Sequence, residues 1–296
     1  MRERQAKLLA DDFTFLEAPK WRDGKIWVSD VHDKRVYAIT PDGQREEICQ
    51  IPGMPAGLGF MPDGRLIIAS VLERKLMQWK DGKLSLYADL TGTIPYPIND
   101  FVIDAKGRIY IGNHGYDYFA GESQKPTNMH RVDPDGSVTE VATDLHFPNA
   151  AVIINDGRTL VVNETWVGHV TAFDIAEDGT LGNRRIFADL TGRGPDGMCA
   201  DAAGAVWIGC YNSGEILRVL DGGEITDCFK FDGCGISCDL GGEDNHTLFL
   251  TAFIGPEEEV LQFTRRSAIL TAKVNVGAPF SQCTVDGTAT GKEHVP

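Results

Sequence analysis

Several features that mark membrane, secreted and nucleic-acid-binding proteins are missing from this sequence. The longest apolar runs, such as residues 150–154, are far shorter than the roughly 20 residues that a membrane-spanning helix needs. The first residues are too polar to resemble a secretory signal. A formal charge of −15 with no basic stripe disfavours nucleic acid and anionic membranes as partners. We therefore expect a cytoplasmic protein that binds neither.

The sequence also lacks the usual motifs for thiolate, nucleotide and serine chemistry. Its seven cysteines form no paired Cys-x-x-Cys units, and no His or Cys partners have the spacing of a zinc site. This odd, scattered set predicts reduced thiols rather than a disulfide framework. There is no nucleophile elbow, no phosphate-cradling glycine loop and no dinucleotide fingerprint. Any catalytic site must therefore be built from other groups.

What the chain does contain is an internal repeat. Each copy has a short apolar strand, a turn with Asp-Gly or a related pair, a second β-rich strand, a loop and a third strand. The copies follow one another at intervals of about 40 to 50 residues, the size of a four-stranded propeller blade. Since no stretch has a helical apolar period, six copies predict an all-β, six-bladed β-propeller as a single domain over residues 1–296. Residues 1–12 should complete the last blade together with the segment after Leu261, and 286–296 should form a polar tail.

One position of the repeat carries side chains that can bind a cation. Counted back from a turn glycine, these are Asn99 (eight before Gly107), Asn149 (eight before Gly157), Asp196 (eight before Gly204) and Glu17 (seven before Gly24), with Ala56 as the blank member eight before Gly64. Equivalent positions of a propeller converge on its axis, so the four polar side chains should meet at one mouth of the central channel. Two carboxylates and two carboxamides form an oxygen-only site suited to a hard divalent cation.

The loops between second and third strands should rim the same mouth. The predicted rim consists of Val31, His32, Val71, Leu72, the loop 114–127, Thr165, Trp166, Tyr211, Asn212, Phe253 and Ile254. An aromatic and apolar rim of this kind is typical of a small-molecule pocket. We predict substrate contacts from Asn99, His114, Tyr116, Trp166, Tyr211, Asn212 and Phe253. His114 and His32 either assist proton transfer or are ordinary loop residues.

Six segments, in order along nearly the whole chain, carry a family resemblance. They are 16–21 (LEAPKW), Asn99-Asp100, Phe147-Pro148-Asn149, 195–199 (PDGMC), 207–212 and 237–242. With these motifs the chain resembles the senescence marker protein, gluconolactonase and luciferin-regenerating enzyme family, which includes bacterial sugar lactonases.

The resemblance implies both a metal site and a reaction. It implies that Glu17, Asn149 and Asp196 ligate one divalent cation directly, that Asn99 completes the site, and that Asp196 is also the catalytic acid/base. Calcium, zinc, magnesium and manganese all occur in the family, and the hard oxygen donors favour Ca²⁺ here. The implied reaction is the opening of a lactone to a hydroxy acid by water, with the cation acting as a Lewis acid.

The chain departs from the family pattern at one informative position. Sugar lactonases of this type carry an arginine two residues before the loop asparagine, and Pro97 stands there instead. Because proline offers no hydrogen-bond donor to substrate hydroxyls, we expect a lactone or ester that is less hydroxylated than an aldonolactone. The open alternatives are an esterase or organophosphate hydrolase, a calcium- or ligand-binding propeller without turnover, and a metal-independent propeller similar to strictosidine synthase. We expect a monomer or a small homo-oligomer.

Overall fold

The computed structural model describes residues 1–117 and 120–279, and within them the chain is almost entirely β-structure. Six antiparallel sheets of four strands follow one another, and one of them gains a fifth, parallel strand. The helical structure in these ranges is a single 3₁₀ turn at Glu257–Gln262. No helix in the described ranges has the length and apolar character needed to cross a membrane. The tail predicted at 286–296 lies outside the described residues.

The strands are numbered in chain order. Two come from the N-terminal segment: β1 (Arg2–Glu3) and β2 (Lys7–Phe13). Blade 1 contains β3 (Leu16–Arg22), β4 (Lys25–Asp30), β5 (Arg35–Ile39) and β6 (Arg45–Gln50). Blade 2 contains β7 (Pro55–Phe60), β8 (Leu66–Ser70), β9 (Lys75–Lys80) and β10 (Lys83–Asp89). Blade 3 contains β11 (Ile98–Ile103), β12 (Ile109–Asn113), β13 (Thr127–Val132) and β14 (Val138–Leu145).

The second half of the chain repeats this plan. Blade 4 contains β15 (Pro148–Ile154), β16 (Thr159–Glu164), β17 (His169–Ile175) and β18 (Leu181–Asp189). Blade 5 contains β19 (Pro195–Ala200), β20 (Val206–Cys210), β21 (Glu215–Val219) and β22 (Ile225–Lys230). Blade 6 contains β23 (Gly233–Gly241), β24 (Thr247–Ile254) and β25 (Ser267–Lys273). The predicted six-bladed β-propeller is confirmed.

The N-terminal segment joins the last blade to the first. Strand β2 pairs antiparallel with β25 and forms the outer strand of blade 6, so that blade contains both early and late parts of the chain. Strand β1 departs from the expectation for residues 1–12, because it pairs in parallel with β22 and extends blade 5 instead. The N-terminal residues therefore contribute one strand to blade 5 and one to blade 6, and so connect these neighbouring blades.

Six clusters of the hydrophobic core lie one between each pair of neighbouring blades, and a seventh, smaller cluster surrounds Phe253. The second strand of each blade lies between two such layers, which is why β8, β12 and β20 are buried at every residue. Outer strands such as β10 and β18 have mostly exposed or half-buried residues. A strand covered on both faces needs a continuous apolar run, whereas an outer strand does not.

Gly209 allows two blades to approach each other closely. A Cβ atom at this position would lie 2.0 Å from the backbone oxygen of Ile236 in the inner strand of blade 6. We expect Gly209→Ala to lower the free energy of unfolding by about 1–3 kcal/mol or more, because backbone must move to relieve the overlap. Urea denaturation measures the change. Gly182→Ala is the control, since its Cβ would meet no described atom within 4 Å; equal losses in both variants would contradict the close approach.

Candidate metal centre at the channel mouth

The four predicted ligands lie on equivalent inner strands, at an irregularity that recurs in each blade. The pairing of inner and second strand skips one residue at this point: between Ile98 and Phe101 in β11, between Pro148 and Ala151 in β15, and between Pro195 and Met198 in β19. Such a bulge leaves a residue out of the ladder and redirects its side chain. Asn99, Asn149 and Asp196 each stand inside one of these bulges. Glu17 stands at the edge of the corresponding bulge in β3.

The backbone beside two ligands adopts an uncommon conformation. Ala18, which follows Glu17, has φ 46°, and Phe147, which precedes Pro148-Asn149, has φ 56°. Residues with a Cβ atom seldom occupy this left-handed region, and those that do often cluster at functional sites. Both residues are buried, so packing holds the conformation.

A repeated backbone hydrogen bond places the rim loops next to the ligands. In each of five blades the residue after the second strand donates its N–H to the residue just before the inner strand. The pairs are Val31 to Phe15 (2.9 Å), Val71 to Met54 (2.8 Å), His114 to Pro97 (2.9 Å), Thr165 to Phe147 (3.2 Å) and Tyr211 to Gly194 (2.8 Å). The predicted rim and the inner-strand starts therefore share one mouth.

Three of the predicted ligands form one hydrogen-bonded chain. The Nδ2 atom of Asn99 donates to Oδ1 of Asn149 over 2.7 Å, and Nδ2 of Asn149 donates to Oδ1 of Asp196 over 2.6 Å. The same Nδ2 donates to Oγ1 of Thr165 at 3.1 Å. All three predicted ligands are at least nine-tenths buried. Side chains about 50 positions apart in sequence thus meet in the manner that radial symmetry predicts.

Glu17 interacts electrostatically with Asp196 of this hydrogen-bonded chain. Burial raises its pKa well above the usual range, and the negative charges of Asp196 and Asp100 raise it further. Burial likewise raises the pKa of Asp196, although the hydrogen bond from Asn149 opposes the shift. The positive charge of Lys20 acts in the opposite direction and lowers the pKa of Glu17 and of Asp100. The negative charges of Asp196 and Asp100 thus disfavour ionisation of Glu17.

These residues fit a hard divalent cation. Each of the four side chains offers an oxygen donor, and the carboxylate pair has an unfavourable excess of negative charge that a dication would neutralise. Among the described residues, no three His, Cys, Asp or Glu side chains are close enough to hold a metal by themselves. The two asparagine amides are therefore needed to complete the donor set, and rotation about χ2 can turn their oxygens toward an ion.

Thr165 was predicted only as a rim residue, and Asn163 was not predicted at the site, yet both position the predicted ligands. Thr165 accepts the hydrogen bond from Asn149, and Asn163 donates its Nδ2 to the backbone oxygen of Asp196 over 2.7 Å. Asn163 opposes the bulge of its blade, where blades 3 and 5 have Gly112 and Gly209. Aligning the second strands of the repeat would have shown this exchange of glycine for asparagine.

The histidines of the rim are packing residues in this structure. Burial lowers the pKa of His32 to about 4, and it lowers that of His114 to about 4 against the charge of Asp117. Both imidazoles are therefore neutral at pH 7 and carry no imidazolium proton to donate. The His114 ring centroid lies 4.5 Å from that of Phe147, and the His32 centroid lies 4.2 Å from that of Phe263.

The predicted substrate contacts differ in their access to the mouth. Tyr211 and Asn212 line a cavity of about 330 Å³ together with Asp232, Cys234 and Glu257. Trp166 is half-buried, and its ring centroid lies 5.5 Å from that of Phe147. His114 and Tyr116 are buried, with 8% and 3% of their surface exposed.

Phe253 requires a correction. It was expected on the rim, but it is fully buried in a cluster with Phe15, Cys234, Ile236 and Val260. The last residue of strand β24 on the surface is instead Ile254, with 37% of its surface exposed. A two-residue alternation explains the difference, because neighbouring strand residues face opposite sides.

The chain is similar in sequence to known proteins over most of its length. The sequence profile described as SMP-30/Gluconolactonase/LRE-like region matches residues 15–254. Regucalcin from Danio rerio is 25% identical over 304 residues, which cover 99% of this chain and 90% of that protein. A 6-deoxy-6-sulfogluconolactonase from Pseudomonas putida is 25% identical over 271 residues, covering 88% and 91%.

A solved structure shares the fold over nearly its whole length. It is that of a calcium-binding protein, regucalcin, from Agrobacterium tumefaciens, with a TM-score of 0.79 at 21% identity and coverage of 94% of this chain and 97% of the other. The profile match spans well over half of the chain, which confirms the resemblance predicted from the six motifs. The chain therefore belongs to the SMP-30/gluconolactonase/LRE-like family.

Proposed function

We propose that this protein is a divalent-metal-dependent hydrolase that opens a lactone to a hydroxy acid. The observation that carries the proposal is the meeting of Asn99, Asn149, Asp196 and Glu17 at one mouth of the channel, as an acidic set of oxygen donors of which the first three are buried and Glu17 is half-buried. Family membership supports the same reaction class, because one relative is named as a sugar-derived lactonase. Ca²⁺ fits best, since carboxylate and carboxamide oxygens are its preferred ligands; Zn²⁺, Mg²⁺ and Mn²⁺ are the other candidates.

The residues that would hold the cation are Glu17, Asn149 and Asp196, with Asn99 completing the set. Bound there, it would supply positive charge against the carbonyl oxygen of the ester, where negative charge develops as water adds. A carboxylate beside a dication stays ionised at neutral pH, so Asp196 can serve as a base. The hydrogen bonds from Asn149 to its carboxylate and from Asn163 to its backbone oxygen keep Asp196 in one orientation.

The proton steps use Asp196 alone. Its carboxylate accepts a proton from the attacking water as the new carbon–oxygen bond forms at the carbonyl carbon. The ring carbon–oxygen bond then breaks, and Asp196 returns the proton to the alkoxide that leaves. Burial lowers the pKa of His32 and of His114 to about 4, so neither supplies an imidazolium acid for the leaving oxygen at pH 7. The product is an open-chain hydroxy acid.

The substrate is proposed to be a lactone with an apolar substituent. Pro97 stands where related sugar lactonases have arginine, and its backbone oxygen already accepts a hydrogen bond from the N–H of His114. Exposed apolar side chains lie around the mouth, including Leu72, Ile254 and Phe263. Trp166 and Tyr211 add aromatic surface. Burying this apolar surface against a hydrocarbon chain lowers the binding free energy more than burying it against sugar hydroxyls.

A lactone panel with and without metal tests the proposal. We expect kcat/KM for alkyl-substituted γ- and δ-lactones to exceed that for gluconolactone by at least about tenfold, the size of one or two buried methylene groups. Chelation with EDTA should abolish turnover, and Ca²⁺ should restore it. Undiminished turnover by metal-free protein would refute the metal dependence, and cation binding without hydrolysis of any ester would refute the enzyme.

A further inference from the structure

A second cavity lies at the opposite face of the propeller, between blades 5 and 6. Its volume is about 440 Å³, and Arg2, Arg4, Arg218, Trp207, Asp227 and Val274 are among the residues that line it. Trp207 and Asp227 lie near the starts of β20 and β22, and Val274 follows the end of β25. These are the strand ends away from Asp196, which is near the start of β19. The cavity is therefore separate from the candidate metal centre.

The charge of this cavity is opposite to that of the protein. Three arginines and one aspartate line it, and with Asp201 behind Arg218 counted as well one positive charge is left in excess (3 − 2), whereas the whole chain carries −15. Asp201 lies behind Arg218 and neutralises it from the buried side. Arg2 makes no ion pair within the described part of the chain, although its charge helps to lower the pKa of Asp227. A cavity with unbalanced positive charge attracts anions.

Two of the arginines are held in fixed positions. Arg4 donates from Nε to Asp227 over 2.5 Å and from Nη1 to the backbone oxygen of Lys273 over 3.2 Å. Arg218 donates to Asp201 over 2.7 Å and to Oγ1 of Thr226 over 3.2 Å. A guanidinium has five N–H groups, and these bonds leave some of them unused on each arginine. Oriented guanidinium groups with spare donors suit a carboxylate or a phosphate.

The short strand that carries Arg2 and leads directly into Arg4 is an addition to the six blades. Strand β1 extends blade 5 by parallel pairing of Arg2 with Asp227 and Glu3 with Cys228. Because side chains alternate along a strand, Arg2 and Arg4 fall on the same face, and Glu3 falls on the other, where it pairs with Lys230. The addition thus places two positive side chains on the cavity and directs the acidic one away.

Trp207 contributes the aromatic part of the cavity wall and has 1% of its surface exposed. Its indole Nε1–H has no hydrogen-bond partner among the residues that the structure describes. Val274 and Val276 add apolar surface to the same cavity.

We propose that this far-face cavity binds a small organic anion, in which a carboxylate or phosphate group is carried on a compact body. The anionic group would accept hydrogen bonds from Arg2, Arg4 and Arg218. The volume of the cavity is in the range of small-molecule sites. The site does not include any residue of the candidate metal centre, so ligand binding here does not depend on hydrolysis.

Calorimetric titration of the full chain tests the proposal with three anionic probes and one neutral probe. Gluconate carries a carboxylate, glucose 6-phosphate carries a phosphate on a sugar, inorganic phosphate lacks the body, and glucose lacks the charge. We expect binding of gluconate or glucose 6-phosphate, weaker binding of inorganic phosphate and none of glucose. Binding should persist in EDTA and in Asp196→Asn, which separates this site from the proposed activity.

Variants at Arg2 locate the binding. Arg2 is exposed and makes no ion pair in the described chain, so Arg2→Gln and Arg2→Glu should fold normally. We expect Arg2→Gln to weaken binding several-fold and Arg2→Glu to weaken it by about tenfold or more, the effect of one charged hydrogen bond. Arg158→Glu makes the same charge change at a side chain that is 75% exposed in blade 4, and it should bind like wild type. Absence of binding by all anions, equal binding of glucose, or an unaltered affinity in Arg2→Glu would overturn the proposal.

Discussion

Replacing Asp196 by asparagine is expected to lower kcat/KM for lactone hydrolysis by roughly a thousandfold, within the range typical of a lost general base. The amide has nearly the shape of the carboxylate and keeps an oxygen for the hydrogen bond from Asn149. It has no basic oxygen to accept a proton from water, and it removes one of the two negative charges that would hold the cation. Activity should therefore fall while the fold is retained.

Asp239→Asn is the matched control for this variant. Asp239 is also a buried carboxylate on an inner strand, and burial raises its pKa to about 6. It accepts a hydrogen bond from the backbone N–H of Trp21, which an amide oxygen can also accept. Since Asp239 takes no part in the hydrogen-bonded chain of Asn99, Asn149 and Asp196, its variant should keep most of the activity.

Steady-state rates on the best lactone of the panel, with Ca²⁺ in excess, provide the comparison. Saturating metal matters because Asp196→Asn would otherwise lose activity through weaker metal binding alone. A variant that retains more than about a tenth of wild-type activity would be inconsistent with a general base at this position, since such groups contribute at least about a hundredfold. Equal losses in Asp196→Asn and Asp239→Asn would show damage to the fold instead.

The sequence was sufficient to predict which polar side chains meet at the channel mouth, because equivalent positions of the repeat lie at equivalent positions around the propeller axis. The glycines at 24, 64, 107, 157 and 204 all have positive φ, between 74° and 88°, and each lies in the turn that follows an inner strand. Glu17 lies seven residues from its glycine rather than eight for a local reason. The hairpin between β3 and β4 has a turn of only two residues, Asp23-Gly24, with φ 51° and 74°. Strand β3 continues to Arg22, close to its turn glycine, and this makes up part of the length lost in the shorter turn.

Features that depend on contacts between blades could not be read from one copy of the repeat. The inner-strand bulges lie close to the crowded central axis, and no particular residue type indicates their position in the sequence. The burial of Phe253 follows from its packing against Phe15 and Val260, which are distant in sequence. The pairing of β1 with β22 joins segments more than 200 residues apart, so the far-face cavity had no signal in the local pattern.

The largest expected effect on stability comes from Glu17→Gln, and its sign depends on the metal. Without metal, the Glu17 carboxylate is buried close to the charges of Asp196 and Asp100, and all three circumstances raise its pKa. A neutral amide removes that repulsion. We therefore expect the variant to be more stable than wild type in EDTA at pH 8, where the carboxylates carry most charge, with a Tm higher by a few degrees for each ~1 kcal/mol relieved.

Calcium should reverse this order. At a Ca²⁺ concentration about a hundred times Kd, binding stabilises the folded wild-type protein by ~2.7 kcal/mol, a rise in Tm of roughly 5–10 °C. Glu17→Gln has lost a charged ligand and should rise by less than about 2 °C under the same conditions, because far less of it is bound. Differential scanning calorimetry with and without Ca²⁺ measures all four values.

Glu258→Gln distinguishes a local effect from a general change in charge. Glu258 is exposed in the 3₁₀ turn Glu257–Gln262, which follows the mouth end of β24, so the variant has the same charge change without the burial. It should resemble wild type with and without Ca²⁺. If Glu17→Gln were instead less stable than wild type in EDTA and kept the full calcium response, Glu17 would be a structural residue and not a ligand. Opposite signs in the two conditions are specific to a buried carboxylate that a cation neutralises, because a purely structural side chain would shift both values in the same direction.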